Sequence, residues 1–193
     1  MTFSANQVAQ LLKPIAPQRV LKDGKGHSHV SQQDVVAHLV RVFGFGNFDT
    51  EVLRLEQVFE EARTKDGSSG PVMTGKWDVC YRAVVRLTVR DADGRQVCQY
   101  ENGSTATAQN QSRGDAHDLA MKAAISLSIK RAAIPLGDQF GLSLYNKGQL
   151  SALVKGTLVF PAAQEDPAPE DVQDGVEKQV SLGNDEIDRE GDE

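Results

Sequence analysis

The sequence predicts an α+β fold, in which a three-stranded antiparallel β-meander packs on one long α-helix and short helices flank that unit. Three observations support this prediction. Apolar residues alternate along 76–90, the turn sequence Asp91-Ala-Asp-Gly94 follows, and small and apolar residues recur at helical spacing through 115–134. A strand beside a tight turn indicates an antiparallel neighbour, and a helix with one apolar side indicates the layer that covers the sheet.

The first short helix is expected at the N-terminus. Ser4 and Gln7 have the spacing of a capping box, whose reciprocal hydrogen bonds begin a helix. This helix should end near Leu12, because Pro14 cannot continue it. A loop over 19–29 follows, rich in cations and glycine.

The second short helix is expected between Ser31 and Gly44. Serine is a favourable N-terminal cap, and glycine is a favourable residue at which a helix stops. Helical spacing assigns five apolar residues to the buried face of this helix: Val35, Val36, Leu39, Val40 and Phe43.

Three strands are expected next, at about 49–62, 76–90 and 95–107. Alternation places Trp77, Val79, Tyr81, Ala83, Val85, Leu87 and Val89 on one face of the middle strand. The opposite face carries Cys80, Arg82, Val84, Arg86, Thr88 and Arg90.

The turn at 91–94 also predicts which residues of the hairpin face each other. The numbers of paired residues add to about 185, so Cys98 is expected opposite Leu87 rather than Cys80. These are the only two cysteines. A disulfide is therefore not expected, and a reducing cytoplasm is the expected compartment.

The long helix is expected to begin at Asp115, as its cap, and to end near Ile134, because a residue before Pro135 is disfavoured in a helix. Its sheet-facing side should carry Ala116, Ala120, Ala123, Ala124, Leu127 and Ile134. Lys130 and Arg131 are about 100° apart and flank that side. The cations have two interpretations: the helix dipole favours them there, or they bind a polyanion.

The charges of the chain are segregated. Residues 164–193 hold 12 acidic residues against Lys178 and Arg189, whereas residues 1–163 hold 19 basic and 15 acidic residues. We therefore expect a mildly basic domain over 1–160, suited to nucleic acid, and an acidic disordered tail over 161–193. No apolar run is long enough for a membrane span, and no secretion signal is expected.

Several features follow one another in a characteristic order: Arg19 with its glycine loop, Val42-Phe-Gly-Phe-Gly-Asn-Phe48, Gly75-Lys-Trp77, the strand to Arg90, and Lys122 through Gly137. Together they span about residues 7–148. This ordered set resembles the Rad-fifty-two family of single-strand DNA annealing proteins, of the phage and bacterial type. The acidic tail is not part of the family domain.

The resemblance implies ATP-independent binding of single-stranded DNA and annealing of complementary strands, in homologous recombination and double-strand break repair. It also implies a closed homo-oligomeric ring, an undecamer in the family, in the cytoplasm of a bacterial or phage-infected cell. By position, Lys130, Arg131 and Arg19 match the inner DNA site, with Lys22 or Lys25 as alternates to Arg19. Lys76 matches the outer site, and Arg113 lies near another outer position. Ile134 and His29 depart from the family pattern.

No enzymatic activity, metal or cofactor is expected. Gly70-Pro-Val-Met-Thr-Gly-Lys76 approaches a phosphate-binding loop, but Trp77 stands where Ser or Thr must meet Mg²⁺, so the segment is expected to be a loop of another kind. His27 and His29 lack further metal ligands at usable spacing, and turn chemistry explains Asp91 and Asp93.

Three alternatives stay open. The arginine stripe is interpreted equally well as a solvated face, a subunit contact or a DNA contact. The acidic tail is a solubilising extension, or it competes with DNA, or it recruits a recombination or replication protein. The rival to annealing is a non-enzymatic interaction or assembly module whose functional part is the tail.

Overall fold

The computed structural model of the chain describes residues 3–158. Helix α1 (Ala5–Leu11) begins at a complete capping box, which confirms the prediction: the Ser4 hydroxyl accepts from the Gln7 amide, and the Gln7 side chain accepts from the Ser4 amide at 2.8 Å. The Gln7 side-chain nitrogen also donates to the carbonyl oxygen of Val42 at 3.1 Å. The first turn of α1 is thus joined to the second helix.

A two-stranded hairpin lies between α1 and helix α2 (Gln32–Phe43). Strands β1 (Leu21–Lys22) and β2 (Ser28–His29) pair antiparallel inside segment 19–29, so the prediction of a loop there was wrong for these four residues. Ser31 caps α2, and Gly44 ends it with a φ of 89° that other residues rarely adopt. Within the predicted buried face Val35, Leu39 and Phe43 are buried and Val36 and Val40 half-buried, whereas the burial of His38 was not expected.

Strands β3 (Phe48–Gly67), β4 (Gly70–Arg90) and β5 (Gln96–Gln111) form an antiparallel sheet in the order β3-β4-β5. The predicted meander is confirmed, with strands longer than expected. The segment 70–76, expected to be a loop, is instead the start of β4 because it pairs with the end of β3. The alternation along β4 is confirmed, since Val79, Ala83, Val85, Leu87 and Val89 are fully buried.

The register of the second hairpin differs from the predicted one. Cys98 lies opposite Val89 and not opposite Leu87, so the prediction was wrong by two residues. The turn is closed between Asp91 and Arg95, which adds one residue, and a bulge beside the turn adds the second. Both cysteines are free thiols.

The β3–β4 pair extends beyond the third strand. Pairing of β4 with β5 ends at Trp77 and Gln111, whereas β3 and β4 stay paired from Thr64 and Met73 to the Gly67–Gly70 turn. We call residues 64–73 the hairpin arm. It is two-stranded, and it exposes apolar side chains, among them Met73.

Helix α3 (Arg113–Ala133) packs on β4 and β5. Its cap is Ser112 and not Asp115, because the Ser112 hydroxyl accepts from the Asp115 amide and donates to the Asp115 carboxylate at 2.7 Å. The helix ends where expected, since Pro135 lies in a separate 3-10 turn.

The sheet-facing side of α3 is built of small residues. Ala116, Ala120 and Ala124 are buried as predicted, and Ser128, Ile129, Ala132 and Ala133 complete the buried set. Ala123, Leu127 and Ile134 are half-buried. The helix contacts the sheet through a row of residues four positions apart, which includes Ser128. The Ser128 hydroxyl lies 3.0 Å from the Ala83 carbonyl oxygen of β4. A polar side chain is tolerated in this interface because a backbone acceptor satisfies it.

Three 3-10 turns follow α3, at Ile134–Leu136, Asp138–Phe140 and Ser143–Tyr145. Residues 3–158 contain no helix that is both long and apolar enough to cross a membrane. The predicted tail, residues 161–193, lies outside the described residues.

Candidate nucleic-acid interface

Three parts of the chain enclose a groove of about 800 Å³: the end of α3, the β1–β2 hairpin and the segment 140–148. Each part contributes basic or aromatic side chains. These are Lys130 and Arg131 from α3, Lys22, His27 and His29 from the hairpin, and Phe140, Tyr145 and Lys147 from the last segment. The structure therefore brings Lys130, Arg131 and Lys22 together on one groove.

Lys130 and Arg131 have no carboxylate within ion-pair distance among residues 3–158. Lys130 is half-buried, and this burial lowers the pKa of its ammonium group, because removal of water disfavours the charged form. A phosphate oxygen in the groove would offset that cost. The helix dipole accounts for cations at this position but not for their convergence with Lys22 and Lys147 on one groove.

The arginines of the sheet are different, because each is already paired. Arg82 bonds to Glu56, Arg86 to Glu101 at 2.7 Å, and Arg90 to Asp49, all across neighbouring strands. Arg63 of β3 is likewise paired with Asp78 of β4, and Arg54 is paired with Glu56 within β3. Arg113 of α3 is paired with Glu60 of β3. Of the three interpretations of the arginine stripe, this pairing favours a face whose charges are matched within the subunit.

Asp23 lines the groove, but its carboxylate is occupied by the hairpin. One oxygen accepts from the amides of Lys25 and His27 at 2.8 and 2.9 Å, and the other lies 3.0 Å from Nδ1 of His27. The hydrogen bond from the His27 amide is the main reason that the pKa of Asp23 is lowered to about 2. Asp23 thus shapes the turn, and its charge is partly satisfied locally.

Arg19 does not line the groove. Its guanidinium forms a forked pair with Asp34 and donates to both the side-chain oxygen and the carbonyl oxygen of Gln139, at 2.7 and 2.8 Å. Only 12% of the Arg19 side chain is exposed. Arg19 lies just before β1, and Gln139 lies just before the segment 140–148. The arginine therefore joins two walls of the groove and positions them.

Lys22 and Lys25, the alternates to Arg19, are separated by the hairpin. Lys22 is in β1 and lines the groove, whereas Lys25 is at the turn and is not among the lining residues. The backbone amide of Lys25 donates to Asp23, which holds the turn closed. Of the two, the structure places Lys22 at the groove.

The two outer-site residues lie at the end of α3 that is far from the groove, where Lys76 precedes Trp77 in β4. Arg113 stacks 4.9 Å above the ring of Trp77, the neighbour of Lys76, and its Nε donates to Glu60 at 2.6 Å. Lys76 is exposed. From Arg113 to Lys130 the helix rises about 25 Å, so this pair belongs to a different surface from the groove.

The described residues contain no group of three His, Cys, Asp or Glu side chains that could hold a metal ion. His27 is instead paired with Asp23. The phosphate-loop-like segment lies in strand β4, not between a strand and a helix, so its backbone lacks the geometry of such a loop.

The sequence did not predict that Tyr145 and Lys147 line the groove. Tyr145 and Lys147 are in a segment of 3-10 turns, which has no long-range periodicity to reveal which side chains face inward. The one available signal, an aromatic and a lysine within three residues, is too common to locate a site.

Fold and groove together define a class of protein: a sheet-and-helix domain with a groove lined by cations that have no acidic partner among residues 3–158. A scan against protein families matched residues 5–157 to the model described as "Rad52/22 family double-strand break repair protein". The chain belongs to the Rad52/22 family, which confirms the resemblance inferred from the sequence. A search of the curated proteins found no match.

Proposed function

We propose that the protein binds single-stranded DNA in the groove and anneals complementary strands without ATP, as a component of DNA recombination and repair. The observation that carries this proposal is the contrast in pairing: the sheet arginines are matched by acids, while Lys22, Lys130, Arg131 and Lys147 converge on one groove without such partners among residues 3–158. Membership of the Rad52/22 family supports the same function.

The chemistry is binding rather than bond-making. Cations that hold phosphates without reading base edges accept any sequence, and a second strand can then test for complementarity. Base pairing is itself downhill, so the reaction needs no fuel. No step calls for a nucleophile, a general base or a metal.

A homo-oligomeric ring is part of the proposal. A single groove with three or four cations binds a strand weakly, whereas the same groove repeated around a ring raises affinity through multivalency without new contacts. By resemblance to the family, the proposed number of subunits is eleven, and native mass spectrometry tests this number. The acidic segment 161–193 is proposed as a separate region that competes with DNA or recruits a partner protein.

The central test compares two double variants with the same change in charge. Lys130→Ala with Arg131→Ala removes two unpaired cations of the groove, and Arg82→Ala with Arg86→Ala removes two paired cations of the sheet. Annealing of two labelled complementary oligonucleotides is followed in EDTA without ATP. We expect the first variant to lose single-strand binding and annealing, and the second to keep both.

Sedimentation must show the same assembly for the wild type and the groove variant. If the groove variant still anneals, or if both variants lose activity equally, the groove is not the DNA site. If the wild-type protein neither binds nor anneals, the rival interpretation as an interaction module is favoured.

A further inference from the structure

We propose that Tyr145 stacks against a base in the groove and is the residue by which the groove prefers single-stranded over duplex DNA. This inference rests on the proposed function and adds a specificity that phosphate contacts alone do not supply. Lysine and arginine contacts to the backbone are available to a single strand and to a duplex alike.

The tyrosines of this chain occupy different environments. The Tyr81 hydroxyl lies 3.0 Å from Nδ1 of His117, and Tyr100 packs against the core. Tyr145 is 65% exposed, although it lines the groove beside cations. Within residues 3–158 its hydroxyl has no hydrogen-bond partner and its ring has no aromatic contact. Its aromatic face is therefore open to a ligand.

The backbone that carries Tyr145 is held in place. Leu144 and Ser143 before it are buried, and the Tyr145 amide donates to the carbonyl oxygen of Leu142. The amide of Gly148 donates to the Leu144 carbonyl oxygen at 3.0 Å, which closes the turn after the tyrosine. A ring on a fixed backbone has only two side-chain torsions to order, so stacking a base costs little conformational entropy.

Charges flank this ring on the groove wall. Lys147 is two residues beyond it, and Lys130 and Arg131 lie along the same groove. An aromatic ring among cations is the arrangement with which single-strand binders hold a base and its neighbouring phosphates, and every base has a face that can stack. The contact would therefore be independent of sequence.

The preference for single strands follows from stacking geometry. In a duplex both faces of each base are covered by neighbouring base pairs, so Tyr145 has nothing to stack on unless the duplex is opened. The contact is consequently lost when two strands pair. The groove would then hold unpaired DNA more tightly than the annealed product, which favours release of the product.

The test measures binding of three probes by fluorescence anisotropy: an oligothymidine short enough to occupy one groove, an abasic oligonucleotide of the same length, and a duplex. Tyr145→Leu removes the ring but not the apolar volume, and Tyr145→Phe keeps the ring. Leucine should weaken oligothymidine binding by about 5- to 150-fold, the range for loss of one stacked base. Binding of the abasic and duplex probes should not change, and phenylalanine should preserve the wild-type pattern.

Two outcomes overturn the inference. In the first, Tyr145→Leu binds oligothymidine like the wild type. In the second, Tyr145→Leu changes the sedimentation of the assembly, which would place the Tyr145 side chain in a contact between subunits. Folding of each variant is verified by the fluorescence of Trp77, the single tryptophan. If the wild type binds through Lys130 and Arg131 but Tyr145→Leu has no effect, only this inference fails. If the wild type does not bind DNA, the proposed function fails as well.

Discussion

Arg19 and Asp34 form a two-pronged ion pair, with Nε 3.0 Å from Oδ1 and Nη2 2.8 Å from Oδ2. Two further donors of the guanidinium bind Gln139, 120 residues further along the chain. Gln139 in turn donates to the carbonyl oxygens of Lys13 and Pro14 at 2.8 and 2.6 Å. One arginine thus connects the N-terminal segment, α2 and the chain after α3.

We expect Arg19→Gln to destabilise the fold without removing a phosphate contact. A neutral glutamine can replace neither the charge nor the forked geometry, and the loss of charged hydrogen bonds should lower the free energy of unfolding by about 1.5–3 kcal/mol, measured by urea denaturation. In the folded variant, the dependence of DNA binding on salt should equal that of the wild type. A decrease in that dependence would mean that Arg19 touches DNA directly.

Lys22 and Lys25 provide a matched pair of variants in one hairpin. In a plot of log K against log salt concentration, Lys22→Ala should make the negative slope shallower by about 0.7, the value for one phosphate contact on a single strand. Lys25→Ala removes the same charge but should leave the slope unchanged, because Lys25 does not line the groove. Equal slopes for the two variants would show that the hairpin binds DNA in another orientation.

His38 should make the stability of the protein decrease in mild acid. Burial is the main reason that the pKa of His38 is lowered to about 4 from 6.5, and the nearby cations Arg19 and Arg41 contribute. Below pH 6.5 the unfolded chain binds a proton that the folded chain does not. The free energy of unfolding therefore falls as the pH decreases from 6.5 to 4, by at most about 1.4 kcal/mol per pH unit.

The control for this prediction is His38→Leu, compared with the wild type by urea unfolding at pH 7 and pH 5. The variant loses the bond between Nδ1 of His38 and Arg41, which is 2.9 Å long, so it should be less stable at pH 7. Its stability should nevertheless depend less on pH. An identical pH dependence in both proteins would rule out His38 as the titrating group.

The sequence predicted those strands and helices that are buried on one face and exposed on the other. Strand β4 alternates because α3 covers one face, so its period of two is visible in the residues themselves. The row from Ala116 to Ala124 is visible in the same way. Lys130 and Arg131 could be named as candidate DNA-binding residues from the sequence because a helix end near Pro135 is predictable and the family resemblance implies a basic pair there.

Other features depend on contacts that local sequence does not encode. The role of Arg19 is set by Asp34 and Gln139, at separations of 15 and 120 residues. The pairing of Cys98 depends on a bulge beside the turn, and a single extra residue changes the register of the whole hairpin. The third wall of the groove, with Tyr145, is made of 3-10 turns without periodicity.

The hairpin arm offers a position for a reporter group. Its tip is about 25–30 Å beyond Trp77, given the rise per residue of a strand, and the sequence there is Ser68-Ser69. Of the native thiols, Cys80 is buried, and burial raises the pKa of Cys98, so both react poorly with alkylating reagents. A cysteine introduced at Ser69 would take up a fluorophore selectively, at a place remote from the groove.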